Sequence, residues 1–411
     1  MDERTGAEAD HDPIEVFLDA PTADLRVAPM LEAIEDQAEQ ADRTRSVDAA
    51  VVDALKGTDV MRLAGSRGLG GVEASILEIG RELEAVAAVC PSTAWTLWNH
   101  LSVFHLFVGT LGPDHHDFLA DIVTTGQWVS FPAGAGSGLY GRLNSSTASV
   151  NGVSSWGSGS RYADHAGAVF AVVDESGKPI RPLDLRFTIV PTNAAGVKID
   201  PTWDGAGLRA SATDDLHYTD VDVDLAKCVP WYGANRAESL RTVPVIHHRY
   251  REDWVGLSDL WLGWMGVGVV RAALRDACAE ARHRKAIMGH PMVDRPTVQV
   301  NLGRAAALVA AAAASTETAC RQVDARIESA TIPSEADYLR QMAIITMALD
   351  QLEQAMALIG RTLGGAGTRE GSSFERRSRD FRPFPLHINA HQDRVTHQLG
   401  RYALGIELDA F

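Results

Sequence analysis

The stretch VNGVSSWGSGSRYADHAGAVFAVVD, residues 150–174, decides how this chain is organised. It belongs to a region rich in Gly, Ser and Thr, residues 126–230, whose short alternating runs of polar and apolar residues predict strands and turns. On both sides of this region apolar residues recur every three to four positions, which predicts helices. Because ligand sites favour junctions between structural layers, this order predicts one compact subunit with a central cleft.

The same patterns divide the chain into four parts. Residues 1–25 are acidic and are expected to form a disordered or frayed tail. Residues 26–125 predict an N-terminal helical domain, residues 126–230 a central β domain and residues 231–411 a C-terminal helical bundle. The C-terminal helices are apolar around much of their circumference, which predicts that the bundle continues across a subunit interface.

Composition excludes several classes of protein. The net charge of −16 argues against nucleic acid as a partner, because phosphate binding needs clustered Lys and Arg. The first twenty residues lack the apolar segment of a signal peptide, which favours a cytoplasmic protein. The apolar runs WLGWMGVGVV and AAALVAAAAA are too short to span a bilayer, so no membrane is expected. The scattered cysteines predict free thiols; they are Cys90, Cys228, Cys278 and Cys320.

Two histidines stand out in FPLHINAHQDRVTHQLGRYALG, residues 384–405. His387 and His391 are four positions apart and share one face if the segment is helical. They then serve as metal ligands, as acid–base groups or simply as packed or solvated side chains. Since no third ligand is evident nearby, no metal site is predicted.

Six further segments occur in a characteristic order. They are LGGVEASILEIGRELEAVAAVCPSTAWTLWNH (69–100), VNGVSSWGSGSRYADHAG (150–167), PTWDGAGLRASATDDLHYTDVDV (201–223), ARHRKAIMGHPMVDRPTVQVNLG (281–303), LGGAGTREGSSFERRSRDFRPFPLH (363–387) and HQLGRYALG (397–405). Together they resemble the acyl-CoA dehydrogenase superfamily, in the branch of two-component flavin-dependent monooxygenases. That branch includes 4-hydroxyphenylacetate hydroxylase, dibenzothiophene monooxygenase and amino-sugar N-oxygenase types. The resemblance implies a mainly helical fold: an N-terminal helical domain, a middle β-barrel domain and a C-terminal four-helix bundle.

The resemblance also implies an activity, that of the oxygenase component. Reduced FMN or FAD arrives from a separate NAD(P)H-dependent flavin reductase, and O2 adds at the flavin C4a atom. The hydroperoxide then hydroxylates a small organic substrate, which is expected to be an aromatic or polyketide-like ring and not a thioester. The protein is expected to be a homotetramer, a dimer of dimers, that orients the flavin, hydrogen-bonds its N5 atom and excludes water.

The sequence leaves three other functions open. N-oxygenation of an amine or amino sugar uses the same flavin chemistry. An acyl-CoA dehydrogenase needs a Glu base, and the matching region RPFPLHINAHQDRVTHQLG, residues 382–400, contains histidines and no such Glu. A binding or scaffold relative without flavin is the non-enzyme alternative.

The flavin ring contacts implied by the resemblance come from the central region. Ser158 is expected to reach flavin N5, and Gly159 to allow close backbone approach. Trp156 is expected beside the isoalloxazine, and Arg209 and Ser211 under the ring and phosphate. A plain turn at Ser158 and Gly159 and a packed core Trp156 are the alternatives.

The implied substrate contacts lie on helices. His100 is expected to face the substrate cavity with Trp95, and Ser130 to lie at its edge. His387 is expected to act as the base that deprotonates a phenol, with His391 as the alternative one turn later.

The implied phosphate contacts are positive side chains and a glycine turn. Arg282, Arg284 or Lys285 would meet the flavin phosphate unless they are merely solvated helix ends. The turn would meet it from a neighbouring subunit; its glycines are Gly364, Gly365 and Gly367. Arg379 and Asp380 are expected to form a structural ion pair nearby.

Overall fold

The computed structural model describes residues 12–18, 24–134, 137–231, 241–388 and 390–409. Its helices are α1 Pro13–Leu18, α2 Leu31–Thr44, α3 Ala49–Lys56, α4 Ile76–Val89, α5 Pro91–Leu111, α6 His116–Thr124, α7 Trp254–His283, α8 Pro296–Glu328, α9 Glu335–Leu363, α10 Ser373–Phe381 and α11 Gln392–Ala403. Its strands are β1 Val129–Ser130, β2 Gly138–Leu143, β3 Thr147–Gly157, β4 His165–Val173, β5 Leu185–Pro191, β6 Val197–Asp200, β7 Asp214–Asp224 and β8 Val229–Pro230. The mainly helical fold with a central sheet is confirmed, whereas the domain boundaries stay a prediction.

The N-terminal helices have clear local start signals. Ser75 and Glu78 form a capping box at α4: the Ser75 hydroxyl accepts from the Glu78 amide, and the Glu78 carboxylate accepts from the Ser75 amide. Pro91 is the first residue of α5. The N–H groups of a helix's first turn have no partner within the helix, so proline loses no hydrogen bond at this position. Nearly every residue of α5 is buried, so this helix lies at the centre of the fold.

The strands form one sheet in the order β6-β7-β3-β2-β4-β5-β8, and β1 pairs with β4 in parallel. No pairing joins the end strands β6 and β8 among the residues that the structure describes. Strand β8 at one end has two residues, and the second, Pro230, has no N–H to donate to a further strand.

Helix α7 is the spine of the C-terminal bundle. It packs against α4, α5, α8, α9 and α10, and most of its first twenty-one residues are buried. At Gly268 a side chain would overlap the backbone carbonyl of Glu84, so glycine is what lets α4 and α7 approach this closely. The bundle thus brings the sheet, α5 and α7 together around one interior.

Helices α8 and α9 change the expectation about apolar length. Apolar stretches within Pro296–Glu328 and Glu335–Thr368 have mean hydropathies of 1.2 and 1.3, and are long enough to cross a bilayer by length and composition. The expectation that every apolar run is too short is therefore wrong. Both helices nevertheless pack against α7 and against each other, as bundle helices do.

Part of the expected tail is ordered. Residues Pro13–Leu18 form α1, and the buried Leu18 accepts a hydrogen bond through its carbonyl from Arg271, at 3.0 Å. Asp12 forms an ion pair with Arg282 at 2.7 Å. The prediction of a frayed tail is wrong for residues 12–18, because these contacts hold the segment on α7. Residues 1–11 and 19–23 lie outside the described residues.

Candidate functional site

The loop after β3 is held in a fixed conformation. Gly159 adopts φ +72°, a left-handed conformation that glycine tolerates best. Its amide donates to the carbonyl of Ser211 at 2.9 Å. A Cβ at Gly159 would lie 3.2 Å from the indole nitrogen of Trp128, which is tight packing. The Ser158–Gly159 loop is therefore locked onto the segment that precedes β7.

A chain of buried hydroxyl groups ends at Ser158. Trp95 donates from its indole Nε1 to Ser158 Oγ at 3.0 Å, and Thr213 Oγ1 lies 3.0 Å from the same atom. Thr213 in turn lies 2.7 Å from Ser211 Oγ. A serine hydroxyl has two acceptor lone pairs and one proton. When Trp95 and Thr213 both donate to Ser158, its own proton is left for a further acceptor.

Ser130 lies behind this loop and not at the edge of a cavity. It is fully buried, and its hydroxyl donates to the carbonyl of Ser158 at 3.0 Å. The predicted place of Ser130 at the substrate edge is wrong, because its one proton already binds the loop backbone. Its role in this structure is to support the Ser158 loop.

Trp156 is a surface residue beside the same loop. It is 59% exposed and has φ +66° at an irregularity in the pairing of β3 with β7. Its ring makes an edge contact with Trp203, with centroids 6.2 Å apart. A bulky residue at positive φ is unusual, and the bulge turns it outward. The alternative of a packed core Trp156 is wrong, and the exposed ring suits stacking.

A cluster of aromatic side chains lies beside Ser158. The ring centroids of Trp95 and Trp98 are 4.8 Å apart, and that of Phe384 lies 5.4 Å from Trp95. His387 meets both indoles edge-on, at 5.7 Å from Trp95 and 5.1 Å from Trp98. Trp98 is fixed by its hydrogen bond to the carbonyl of Ser258 on α7, at 2.8 Å. Trp95, a predicted substrate contact, thus joins this cluster to the hydroxyl chain.

His387 is neutral in this setting. Burial lowers its pKa to about 4, and the positive charge of Arg394 lowers it further in the same direction. At neutral pH the ring is therefore uncharged and able to accept a hydrogen bond. The low pKa makes it a weak proton acceptor, and its role as the base stays a prediction.

His391 does not share a helical face with His387. Residues 382–388 and 390 form turns, and His391 is the N-cap of α11, which begins at Gln392. The helical spacing expected for these two histidines is wrong, because Pro383 and Pro385 interrupt the segment. Within the described ranges no group of three or more His, Cys, Asp or Glu is placed to hold a metal ion.

His100 is a structural residue and not a substrate contact. Its Nδ1 accepts from the Val129 amide at 3.1 Å, and its Nε2 donates to the Met61 carbonyl at 3.0 Å. Burial lowers its pKa to about 4, so the ring stays neutral with both nitrogens occupied. The predicted catalytic role of His100 is wrong, because the ring has neither a nitrogen nor a proton to offer.

A charged cluster holds the loop that carries Ser211. Asp42 of α2 pairs with Arg379 at 2.9 Å and with Arg209 at 3.6 Å. Asp380 accepts from the Leu208 amide at 2.7 Å, and burial raises its pKa to about 7. The expected ion pair of Arg379 with Asp380 is present at 3.7 Å. Arg209 therefore lies close to Ser211 with its charge already partly balanced.

The predicted phosphate contacts lie at the other end of α7. Arg282 pairs with Asp12. Arg284 pairs with Glu280 at 2.7 Å and also donates to the Leu363 carbonyl at 3.1 Å, directly before Gly364 and Gly365. Arg284 and the glycine turn are thus neighbours within one chain, which corrects the expectation that only the turn comes from another subunit.

The predicted phosphate contacts are distant from the start of α7. Ser258, which accepts the hydrogen bond of Trp98, precedes Arg284, the C-cap of α7, by 26 positions. The helix therefore separates these two residues by about 39 Å.

The sequence does not by itself identify several residues of the site. Thr213 stands two positions after Ser211, and the structure brings the two hydroxyls together. Trp98 and Trp203 carry no sequence signal beyond the segments in which they stand. Asp259 is an acidic residue within the apolar run of α7, and a lone charge in such a run was the available signal.

Comparisons with known proteins bear on the family and the fold. Residues 260–392 match the family described as acyl-CoA dehydrogenase, C-terminal domain. The chain is 27% identical to indole-3-acetate monooxygenase of Pseudomonas putida over 72% of this chain and 73% of that protein. It is 26% identical to the oxygenase component of the FADH2-dependent resorcinol hydroxylase of Rhizobium sp. (strain MTP-10005), over 93% of this chain and 94% of that protein.

The fold is likewise shared with a flavin-bound structure. XiaF from Streptomyces sp. in complex with FADH2 and glycerol superposes with a TM-score of 0.83 at 18% identity, covering 97% of this chain and 98% of that chain. Residues 260–392 therefore carry the acyl-CoA dehydrogenase C-terminal domain, and the homologues of the chain are named as oxygenase components of flavin-dependent monooxygenases.

Proposed function

We propose that this protein is the oxygenase component of a two-component flavin-dependent monooxygenase, which hydroxylates a small aromatic substrate. Its cofactor is reduced FMN or FAD, supplied by an NAD(P)H-dependent flavin reductase, and O2 is the co-substrate. When bound, the reduced flavin supplies two electrons, so that one oxygen atom of O2 enters the substrate and the other leaves as water. The observation that carries the proposal is the Ser211–Thr213–Ser158 hydroxyl chain, which ends between Trp156 and Trp95.

The residues around Ser158 fit the ring of a reduced flavin. Trp156 offers an exposed aromatic face, and Gly159 leaves the backbone free of a side chain at the turn. The Ser158 hydroxyl, with its lone pairs filled by Trp95 and Thr213, directs its proton to the flavin N5 atom. Polarisation along the hydroxyl chain strengthens that donor. The buried surroundings keep water away from the reacting atoms.

The substrate ring lies in the pocket lined by Trp95, Trp98 and His387. Two indoles provide an apolar, aromatic wall that favours a flat ring. His387, neutral because burial lowers its pKa to about 4, accepts the proton of a ring hydroxyl. That transfer raises electron density on the ring carbon that is attacked.

The flavin phosphate is held by a second subunit of a cytoplasmic homotetramer. Arg284 and the turn at Gly364 lie together in one chain. About 39 Å of helix α7 separates Arg284 from Ser258, the partner of Trp98, in the same chain. A neighbouring chain therefore brings them to the flavin. The apolar, incompletely buried helices α8 and α9 support such an assembly.

Oxygen incorporation tests the proposal. The protein is combined with a flavin reductase, NADH, flavin and a panel of phenols and indoles under 18O2. We expect one labelled oxygen atom in a hydroxylated product. Turnover of an acyl thioester with an artificial electron acceptor in the absence of O2, by protein that purifies yellow, would contradict it and favour a dehydrogenase.

A further inference from the structure

Asp259 is a buried acid without a hydrogen-bond partner. It lies in the second turn of α7, is fully buried, and neither carboxyl oxygen has a partner among the described residues. Two other acids have partners: the buried Asp380 accepts from the Leu208 amide, and the half-buried Asp324 accepts from the amides of Ile76 and Leu77 at the start of α4. Asp259 is thus an exception that calls for an explanation.

Its position places it beside the aromatic pocket. The preceding residue, Ser258, accepts the hydrogen bond of Trp98, whose ring meets His387. Val255, one turn earlier on the same face as Asp259, packs in a cluster with Val395 of α11. Asp259 therefore lies on the side of α7 that faces α11.

A shared positive charge supports this placement. Arg394 of α11 acts electrostatically on the pKa of both Asp259 and His387. Its guanidinium donates to the Ile388 carbonyl at 2.6 Å, and it makes no hydrogen bond to Asp259. Asp259 and His387 thus belong to one neighbourhood, in which the carboxyl group keeps its hydrogen-bonding capacity.

An unpaired buried carboxyl group is unfavourable for folding. Burial raises the pKa of Asp259 well above its ordinary value, which favours the protonated carboxyl group, a group with both a donor and an acceptor. A pocket that leaves such a group unsatisfied gains most from a ligand that satisfies it, and rejects ligands that do not.

We propose that Asp259 determines substrate specificity: its carboxyl group binds the hydroxyl or N–H group of an aromatic ring held against Trp95, Trp98 and His387. This assignment rests on the proposed oxygenase function, since it names the class of substrate that the same pocket takes. The ring must carry a hydrogen-bond donor.

The experiment compares rings of equal shape that differ in one donor. Equilibrium dialysis measures binding of phenol against fluorobenzene and of indole against benzothiophene to the flavin-free protein. The wild type is expected to bind at least one donor-bearing ring about 10- to 100-fold more tightly than its counterpart. Asp259→Ala and Asp259→Leu, which both lack an acceptor, are expected to reduce this ratio to about one.

A matched control separates recognition from folding. Asp324→Ala removes a half-buried acid that caps α4, so it is expected to lower Tm and leave the binding ratio unchanged. Asp259→Ala is expected not to lower Tm, because it removes an unsatisfied buried group.

Two results would overturn the assignment. One is a wild type that shows no preference for a donor in either pair. The other is an Asp259 variant, Ala or Leu, that keeps the full preference. Because neither flavin nor O2 is present, these results leave the oxygenase proposal standing. Failure to bind reduced flavin would defeat that proposal without changing the ring preference.

Discussion

The two ends of helix α7 differ in how they are built. At the Ser258 end, Trp98, Trp95 and Ser158 are buried and linked by hydrogen bonds. At the other end, Arg282 and Arg284 are partly exposed and paired with acids of their own chain. Interactions in the dry end are strong and directional, whereas exposed charges are screened by salt. The first end is therefore suited to control chemistry and the second to contribute affinity.

The largest expected effect is at the dry end. Ser158→Ala removes the proposed donor to flavin N5, and loss of one preorganised donor typically reduces a rate about 100-fold or more. We expect product per NADH to fall at least about tenfold, with H2O2 released instead. Product and H2O2 are quantified together during reductase-coupled turnover.

Ser149→Ala, on β3 away from the loop, is the control and should behave as wild type. Unchanged coupling in Ser158→Ala would contradict the role of the hydroxyl chain.

The next effect concerns the base. His387→Ala is expected to slow hydroxylation of a phenol about 100-fold while reduced-flavin affinity stays within a few-fold of wild type. Because the pKa of His387 is about 4, the wild-type rate should be independent of this residue's ionisation between about pH 5 and 8 and fall only towards pH 4. Single-turnover rates at several pH values measure both.

His391→Ala, at the N-cap of α11, serves as the control. A wild-type rate in His387→Ala would show that no phenol base operates there, and would favour oxygenation at nitrogen.

At the exposed end, Arg284→Gln is expected to weaken binding of reduced flavin about tenfold, because a charge-assisted hydrogen bond to phosphate is lost. The difference from wild type should shrink as salt concentration rises. Anaerobic titrations at low and high salt measure it.

An experiment that mixes chains of the two variants tests whether the two ends of α7 serve one site across subunits. In the proposed tetramer each site draws on two chains, so random assembly of Ser158→Ala and Arg284→Gln chains should give about one quarter intact sites. Coupled turnover should recover accordingly. No recovery in mixed tetramers would show that both ends serve the same site within one chain.

The smallest effect is on stability and comes from the structural histidine. The pKa of His100 is lowered to about 4, so its contribution to stability is complete above about pH 6.5 and is lost as pH falls towards 4. The gap in unfolding free energy between wild type and His100→Gln should therefore narrow by about 3 kcal/mol over that range.

Urea unfolding at successive pH values measures this gap. The raised pKa of Asp380 makes the unfolding free energy rise as pH falls, opposite to the effect of His100. Both proteins contain Asp380, so its contribution cancels in the difference between wild type and His100→Gln. A gap independent of pH would contradict the neutral, buried state of His100.

How far the sequence predicts this molecule depends on the range of each interaction. The order of helical and β patterns, and the loop at Ser158 and Gly159, follow from local residues and neighbouring segments. The error at His100 arose because its partners, Met61 and Val129, are distant in sequence. The contact of Thr213 with Ser158 depends on the pairing of β7 with β3, which are distant in sequence.

Another difference has a local cause. Pro383 and Pro385 break the helical spacing of His387 and His391, and both prolines stand in the sequence. The unsatisfied state of Asp259 depends on packing among α5, α7 and α11, which no residue pattern reveals.

The most direct test of the central claim is an anaerobic titration with photoreduced FMN and FAD, followed by tryptophan fluorescence. Trp95 donates a hydrogen bond to Ser158, and Trp156 precedes Ser158 by two residues, so flavin bound at this loop should quench the fluorescence of both indoles. The account predicts saturable binding of at least one reduced flavin at micromolar concentrations. Absence of binding of either reduced flavin in that range would contradict it.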